Sequence, residues 1–417
     1  MRVLLVNKFL YPNGGSETYV FELGKLLEKN GHEVQYFGME HPDRIVGNRV
    51  QSYTSGMDFH TGKLAKLLYP FRILYSTEAR RKIRAVLQDF DPQIVHLNNF
   101  NFQLTPSILY EIRAYEKKCG HKIRVLFTAH DYQLVCPCHM LQYPDGTLCD
   151  GNEPECIRCG YRACIRNKCI HGSKVKSILG AAEGWLYRHN HAYRMIDLVI
   201  APSGFMKKQL ECNPDLKGRI VVQYNHVAAD EGAHGTKQEP ETQRPEQSDN
   251  GYVLYFGRLV REKGVGTMLE ACKTLPDISF CFAGSGDLEE EIRSLPNAKL
   301  LGFLNPNQMR ETIRGACLVV VPSEWYENCP FSVMESILYG TPVVGAKIGG
   351  IPELIKPGVN GELFESGNAK ELAEILDRLW NDPEKLSEYR KECGPGAYAS
   401  EAMYFERLME LYKGQEG

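Results

Sequence analysis

No stretch of this chain approaches the roughly 18 apolar residues that a membrane-spanning helix needs, so any membrane contact is expected to be peripheral. Charge of one sign is not in excess either: the formal net charge is −3, which gives no reason to expect a nucleic-acid partner. The opening run Met1-Arg2-Val3-Leu4-Leu5-Val6-Asn7 is too short for a signal peptide and reads as a first strand. The expected location is therefore cytoplasmic, at most peripheral on the inner face of a membrane. A full dinucleotide fingerprint is missing as well, because Asn13-Gly14-Gly15-Ser16 lacks that motif's third glycine.

What is present is globular, with 43% hydrophobic and 24% charged residues. At 417 residues the chain exceeds one ordinary core, so two domains are expected. Apolar strands at residues 2–6, 31–37, 94–97, 123–127 and 198–201 alternate with helical stretches, and a second series follows at 252–256, 278–282, 299–301, 318–321 and 342–344. This alternation predicts an α/β fold of two doubly wound, Rossmann-like domains with parallel sheets. The expected bounds are 1–227, a flexible linker at 228–250 that is poor in apolar residues, 251–395, and 396–417 as a helix crossing back to the first domain. Its apolar positions are Ala402, Phe405, Leu408 and Met409.

The stretch around which the second half is organised is Val320 to Glu335. It sets Glu327 in a polar loop after a strand and Glu335 inside the following helix. Pro330 suits a helix start, leaving N–H groups near Ser332 and Val333, and a positive dipole end, for an anion. Ligands of parallel sheets bind beyond the carboxyl ends of the strands, so four more loops are candidates. Arg258 and Lys263 suit a diphosphate, as fork and point charge. Gly284 lies in a glycine-rich turn that suits a base or ribose, and Gly302-Phe303 offers a platform for a nucleobase. In the first half, His130-Asp131 ends a strand. Gly14 and Gly15 permit close approach or positive φ, with Ser16 expected to cap the helix. Ordinary surface charge, a plain turn and a structural histidine are the competing readings of these loops taken singly.

Seven of the fourteen cysteines fall between residues 136 and 169. In a reducing compartment such clustering suggests metal before disulfides. Cys156 and Cys159 have metal-like spacing, and with partners from Cys136, Cys149, Cys164 and Cys169 they make a candidate four-thiolate structural zinc site. Free thiols are the alternative. Cys281 and Cys317 read as small buried hydrophobes. Two basic, partly apolar segments, Lys63 to Arg84 and Arg162 to Arg194, are candidates for an anionic membrane surface, or else solvated helix faces.

Together these residues resemble the retaining glycosyltransferases of family 4, which have the two-domain GT-B fold. The resemblance covers nearly the whole chain. It is most specific at Glu327 to Glu335, with Gly257-Arg258 and Lys263-Gly264 ahead, and Gly340-Thr341-Pro342 and Gly349-Gly350-Ile351-Pro352 behind. It implies two domains facing across a cleft and transfer of a hexose from a nucleoside diphosphate sugar, UDP- or GDP-linked, to a saccharide or lipid-linked acceptor in bacterial surface-polysaccharide synthesis. Glu335 would hold the ribose and Glu327 the transferred sugar. The amides of Asn328, Cys329, Pro330, Phe331, Ser332 and Val333 would surround sugar or phosphate, proline contributing backbone only. Arg258 and Lys263 would bind the diphosphate, Gly14 and Gly15 would close over the donor, and His130 would lie at the sugar. No cofactor is implied for catalysis, since cations and amides can stabilise the leaving diphosphate. The resemblance favours front-face attack over a covalent intermediate. The cysteine-rich insert follows the same histidine in a subset of such enzymes. An epimerase, which needs no acceptor, and a non-catalytic sugar-nucleotide sensor are the alternative readings.

Overall fold

The structure is a computed structural model that describes residues 1–56, 72–149, 151–227 and 251–415. The expected linker at 228–250 and the Lys63 to Phe71 part of the first basic segment lie outside the described residues. The chain divides into two compact units, residues 1–224 with 407–417, and residues 225–406.

The first unit carries one six-stranded sheet of β1 (Arg2–Val6), β2 (Glu33–Phe37), β3 (Ile94–Leu97), β4 (Arg124–Thr128), β5 (Leu198–Ala201) and β6 (Ile220–Val222), ordered β2-β1-β3-β4-β5-β6. The second has β7 (Val253–Phe256), β8 (Phe280–Ala283), β9 (Ala298–Gly302), β10 (Leu318–Val321), β11 (Val343–Ala346) and β12 (Gly361–Phe364), ordered β12-β11-β10-β7-β8-β9. Every strand pair is parallel. The central strands β3, β5, β8, β10 and β11 are buried at every residue, as expected where helices cover both faces of a parallel sheet. The two doubly wound domains are thus present. Strands β6 and β12 are additions that the sequence pattern did not supply.

In each sheet the order reverses between two neighbouring strands, β1 and β3 in one and β7 and β10 in the other. Loops beyond the carboxyl ends of such a pair diverge and leave a crevice. The candidate loops 7–14, 257–264 and 322–330 emerge there, as does the loop at 98–106.

The Glu401–Lys413 helix begins in the second unit, and its residues from Arg407 belong to the first. Its buried face is Tyr404, Leu408, Met409, Leu411 and Tyr412, while Ala402 is exposed. That face is rotated from the expected one. The Tyr412 hydroxyl lies 2.7 Å from Nδ1 of His96 on β3, whose Nε2 is 2.7 Å from Thr128 Oγ1. Burial pushes the His96 pKa down to about 3, so the ring is neutral.

Candidate functional site

In the second unit, the loop after β7 and the loop after β10 are locked together by backbone. Glu324 N–H donates to the Glu262 carbonyl at 3.0 Å. Gly264 has φ +71°, and a Cβ there would lie 1.9 Å from the Pro322 carbonyl oxygen. Gly349 has φ +58°, and a Cβ there would lie 2.2 Å from the Glu327 carbonyl oxygen, which accepts from Gly350 N–H at 2.7 Å. Only glycine fits such close approaches at positive φ. The resulting scaffold places two carboxylates with opposite characters.

Glu327 is buried at 7% exposure. Its Oε1 accepts from Lys263 Nζ at 2.6 Å and from Ser323 Oγ at 2.7 Å, and the Lys263 ammonium lies 4.8 Å from the centre of the Trp325 ring. Burial alone would push the Glu327 carboxyl up, but the Lys263 charge and these hydrogen bonds outweigh it and hold it below the usual carboxylate range. Glu335 is half-buried and has no hydrogen-bond or ion-pair partner among the described residues. Burial pushes its pKa up to about 7.

The helix carrying Glu335 runs Phe331–Leu338, with Pro330 as N-cap and no side-chain cap. Val333 N–H is taken by the Pro330 carbonyl at 3.2 Å. The open N–H groups of the first turn are therefore Phe331 and Ser332, one residue earlier than the sequence suggested. Cys329 is buried and its carbonyl accepts from Asn225 at 3.2 Å. Arg258 is 60% exposed and only loosely paired, at 3.6 Å, with Glu262. Its guanidinium is available to an anion. Gly284 packs on the Gly257 backbone at φ +135°, and Gly302 turns at φ +70° before Phe303, which is 88% exposed.

In the first unit, Gly14 is the N-cap of the Gly15–Lys29 helix at an extended φ of 179° and makes no side-chain cap bond. Neither Gly14 nor Gly15 has positive φ. Ser16 lies inside the helix, where its Oγ accepts from Asn99 at 2.9 Å, so it is not the cap. His130 Nε2 is 2.8 Å from Asn98 Oδ1, and its ring meets Tyr19 edge-on at 4.8 Å. Burial lowers its pKa to about 4. His130 is a neutral hydrogen-bonding group rather than a cation. The Asp131 charge acts against that shift without reversing it, and Asp131 itself pairs with His139 Nδ1 at 3.3 Å and accepts from Gln133 N–H at 2.8 Å. Asn98, Tyr19, Ser323 and Trp325 were not singled out from the sequence. Asn98 and Tyr19 reach His130 from strands and helices far off in the chain, whereas Ser323 lies four residues from Glu327 in the same loop.

Of the cysteines proposed as ligands, Cys136, Cys149, Cys156, Cys164 and Cys169 line one pocket together with Cys138. Cys159 does not, and its sulfur accepts from Ala163 N–H at 3.2 Å. Cys281 is buried as expected, whereas Cys317 is only half-buried. Among the described residues Asp91, Cys119 and His121 also approach one another. There Asp91 is already held by Arg2, Tyr115 and His121 at 2.8 to 2.9 Å, an ion-pair cluster that leaves a cation little to bind.

Two family descriptions match the chain: "Glycosyltransferase Family 4" over residues 13–231 and "Glycosyl transferases group 1" over residues 236–399. An uncharacterized 42.6 kDa protein in the cps region of Klebsiella pneumoniae is 24% identical over 373 residues, 85% of this chain and 87% of that one. The amylovoran biosynthesis glycosyltransferase AmsK of Erwinia amylovora is 34% identical over 143 residues, 30% of this chain and 35% of AmsK. Alignments with three curated relatives span 58%, 35% and 37% of those proteins' lengths. A crystal structure of Anabaena HepE in complex with UDP-glucose superposes with a TM-score of 0.63 at 17% identity, covering 99% of this chain and 100% of that one. That likeness shows the fold, two Rossmann-like domains of GT-B type. The longer family match takes in more than half of the 417 residues, and the chain belongs to glycosyltransferase family 4.

Proposed function

We propose that the protein is a retaining glycosyltransferase that moves a hexose from a nucleoside diphosphate sugar, UDP- or GDP-linked, to a saccharide or lipid-linked acceptor in surface-polysaccharide synthesis. The observation that carries this reading is the pair of unlike carboxylates at one helix start. Glu335, partnerless and half-buried, suits the two hydroxyls of a ribose. The open Phe331 and Ser332 N–H groups and the exposed, loosely paired Arg258 fork suit the diphosphate beside it. HepE, whose structure contains UDP-glucose, and AmsK, which serves amylovoran biosynthesis, support the same class of donor and product.

In this mechanism the acceptor hydroxyl attacks the anomeric carbon on the face that the diphosphate leaves, and its proton passes to a phosphate oxygen. Negative charge grows on the diphosphate, so Arg258, Lys263 and the helix amides bind the transition state more tightly than the ground state. These groups do the work that a divalent cation does elsewhere. Glu327, ionised and clamped by Lys263 and Ser323, orients sugar hydroxyls and balances positive charge at the anomeric carbon. The neutral His130 is assigned to hydrogen bonding with the sugar.

A thermal-shift panel of UDP-, GDP- and ADP-sugars tests the reading, because a ligand that binds only the native state raises its stability. Stabilisation by one base series is expected. No shift with any of them would overturn it.

The acceptor's lipid is proposed to bring the enzyme to a membrane surface. Of the two basic segments, the described part of the first is largely neutralised: Arg72 pairs with Glu78, and Arg80 and Arg84 with Glu111. The Lys174–His189 helix keeps Val175, Ile178 and Trp185 exposed on one side, flanked by Lys174 and Lys176. It is the better candidate for anionic headgroups.

A further inference from the structure

Cys136, Cys138, Cys149, Cys156, Cys164 and Cys169 line a single small pocket, a cavity of about 10 Å³. Their sulfurs touch in series. Cys136 and Cys138 are 3.3 Å apart, Cys138 is within hydrogen-bonding reach of Cys169, Cys169 of Cys164, and Cys164 of Cys156. Cys149 approaches the Tyr143 hydroxyl at the rim. Among the described residues that line it, the carboxylate Glu155 is occupied by Tyr143 and by Arg166 at 2.6 Å. The ligand chemistry gathered around the pocket is therefore chiefly sulfur.

This segment has little else to hold it. Its two helices, Glu155–Cys159 and Arg162–Arg166, are five residues each, far below the length at which a helix is stable alone. Its local core is Cys156, Tyr161, Ala163, Cys164 and Ala181, with further cysteines packed against it. A core of two cysteines, two alanines and one tyrosine buries too little apolar surface to fold by hydrophobic burial, and small units of this kind are commonly stapled by metal or disulfides. Disulfides would consume the sulfurs two at a time and give no reason to gather six around one pocket.

We infer that this pocket is a structural zinc centre, in which at least four of the six thiolates, with Cys138, Cys164 and Cys169 at the heart of the sulfur chain, bind Zn²⁺ and fold the insert. Each ligating thiol passes its proton to solvent as its sulfur takes the metal, with no change of oxidation state. No three of these sulfurs lie mutually within 4.8 Å, so one tetrahedral ion draws the chain of thiols inward, and six ligands suffice for a second ion sharing sulfurs with the first. Cys159 lies outside the set although its spacing to Cys156 is the most metal-like in the sequence.

The test is elemental analysis of the purified full-length protein, followed by titration with a mercurial in the presence of a chromogenic zinc chelator. At least about one zinc per chain is expected for a closed thiolate site, released only as thiols are titrated. Cys138→Ser combined with Cys164→Ser is expected to abolish zinc retention, while Cys159→Ser and Cys212→Ser keep it. Should the double variant not fold, the analysis of the unaltered protein decides alone. Absence of zinc, disulfides among these six residues in a non-reducing peptide map, iron with acid-labile sulfide, or zinc retained by the folded double variant would each overturn the inference.

Discussion

At the scale of single residues, the two glutamates of the Glu327 to Glu335 stretch look equivalent in sequence and are opposites in the structure. Glu327 is held ionised by Lys263 and Ser323, whereas Glu335 has a pKa of about 7. A carboxyl that titrates near 7 in the native state and near 4.5 when unfolded retains a proton that the unfolded chain has released. Stability should therefore fall as pH rises from about 4.5 to about 7. Glu335→Gln should flatten that slope in urea unfolding. Ribose hydroxyls donate to the ionised carboxylate, so affinity for a UDP-sugar should rise as pH passes through about 7 in the unaltered protein and not in the variant; equal pH profiles would exclude the assignment. Glu327→Ala should cut transfer by about 100-fold or more while nucleotide binding persists. It should also cost about 3 kcal/mol, because Lys263 keeps a partly buried charge without its partner. Transfer at the unaltered rate would remove Glu327 from the mechanism.

At the scale of elements, the loops after β7 and β10 depend on glycines for contact rather than flexibility. Gly264→Ala and Gly349→Ala each put a Cβ about 2 Å from a carbonyl oxygen at positive φ, and each should destabilise the second unit by about 2 kcal/mol or more. Gly14→Ala is the control, since its φ is extended and the nearest atom lies 3.6 Å from the added Cβ. Differential scanning calorimetry distinguishes the three, and an unchanged Tm for Gly349→Ala would show that the loops are not locked as described. For the Lys174–His189 helix, replacing Val175, Ile178 and Trp185 by serine should abolish co-sedimentation with anionic vesicles and leave the fold intact. Co-sedimentation at the original level would remove this helix from the membrane proposal. Element boundaries were mostly legible, because fully buried parallel strands read as short β-branched runs. β6 and β12 are less legible because they are edge strands, each paired on one side only and only partly buried, so they lack the continuous apolar run of the central strands.

At the scale of the whole molecule, the C-terminal segment is covalently part of one domain and structurally part of the other. Tyr412→Phe removes the partner of a fully buried His96 nitrogen, a loss worth about 1–3 kcal/mol. Deleting residues 407–417 should cost more, since it also removes the buried Leu408, Leu411 and the Leu411 carbonyl that Arg124 holds at 2.8 Å. Denaturant unfolding of both variants, with hydrogen exchange at β3 and β4 as the local readout, checks this. Unaltered protection there would mean that the helix end contributes nothing to the first unit.

The sequence by itself determined the two parallel sheets, the candidate loops and the family motif, because burial patterns and glycine–proline punctuation are local signals. Only the tertiary structure decided the states and partners of the side chains. Lys263 meets Glu327 across 64 positions, His130 meets Asn98 across 32, and Cys138 joins the thiol pocket that Cys159 leaves. Ionisation and ligation follow from distance and burial, and in a doubly wound fold both are set by strands that neighbour in space and not in sequence.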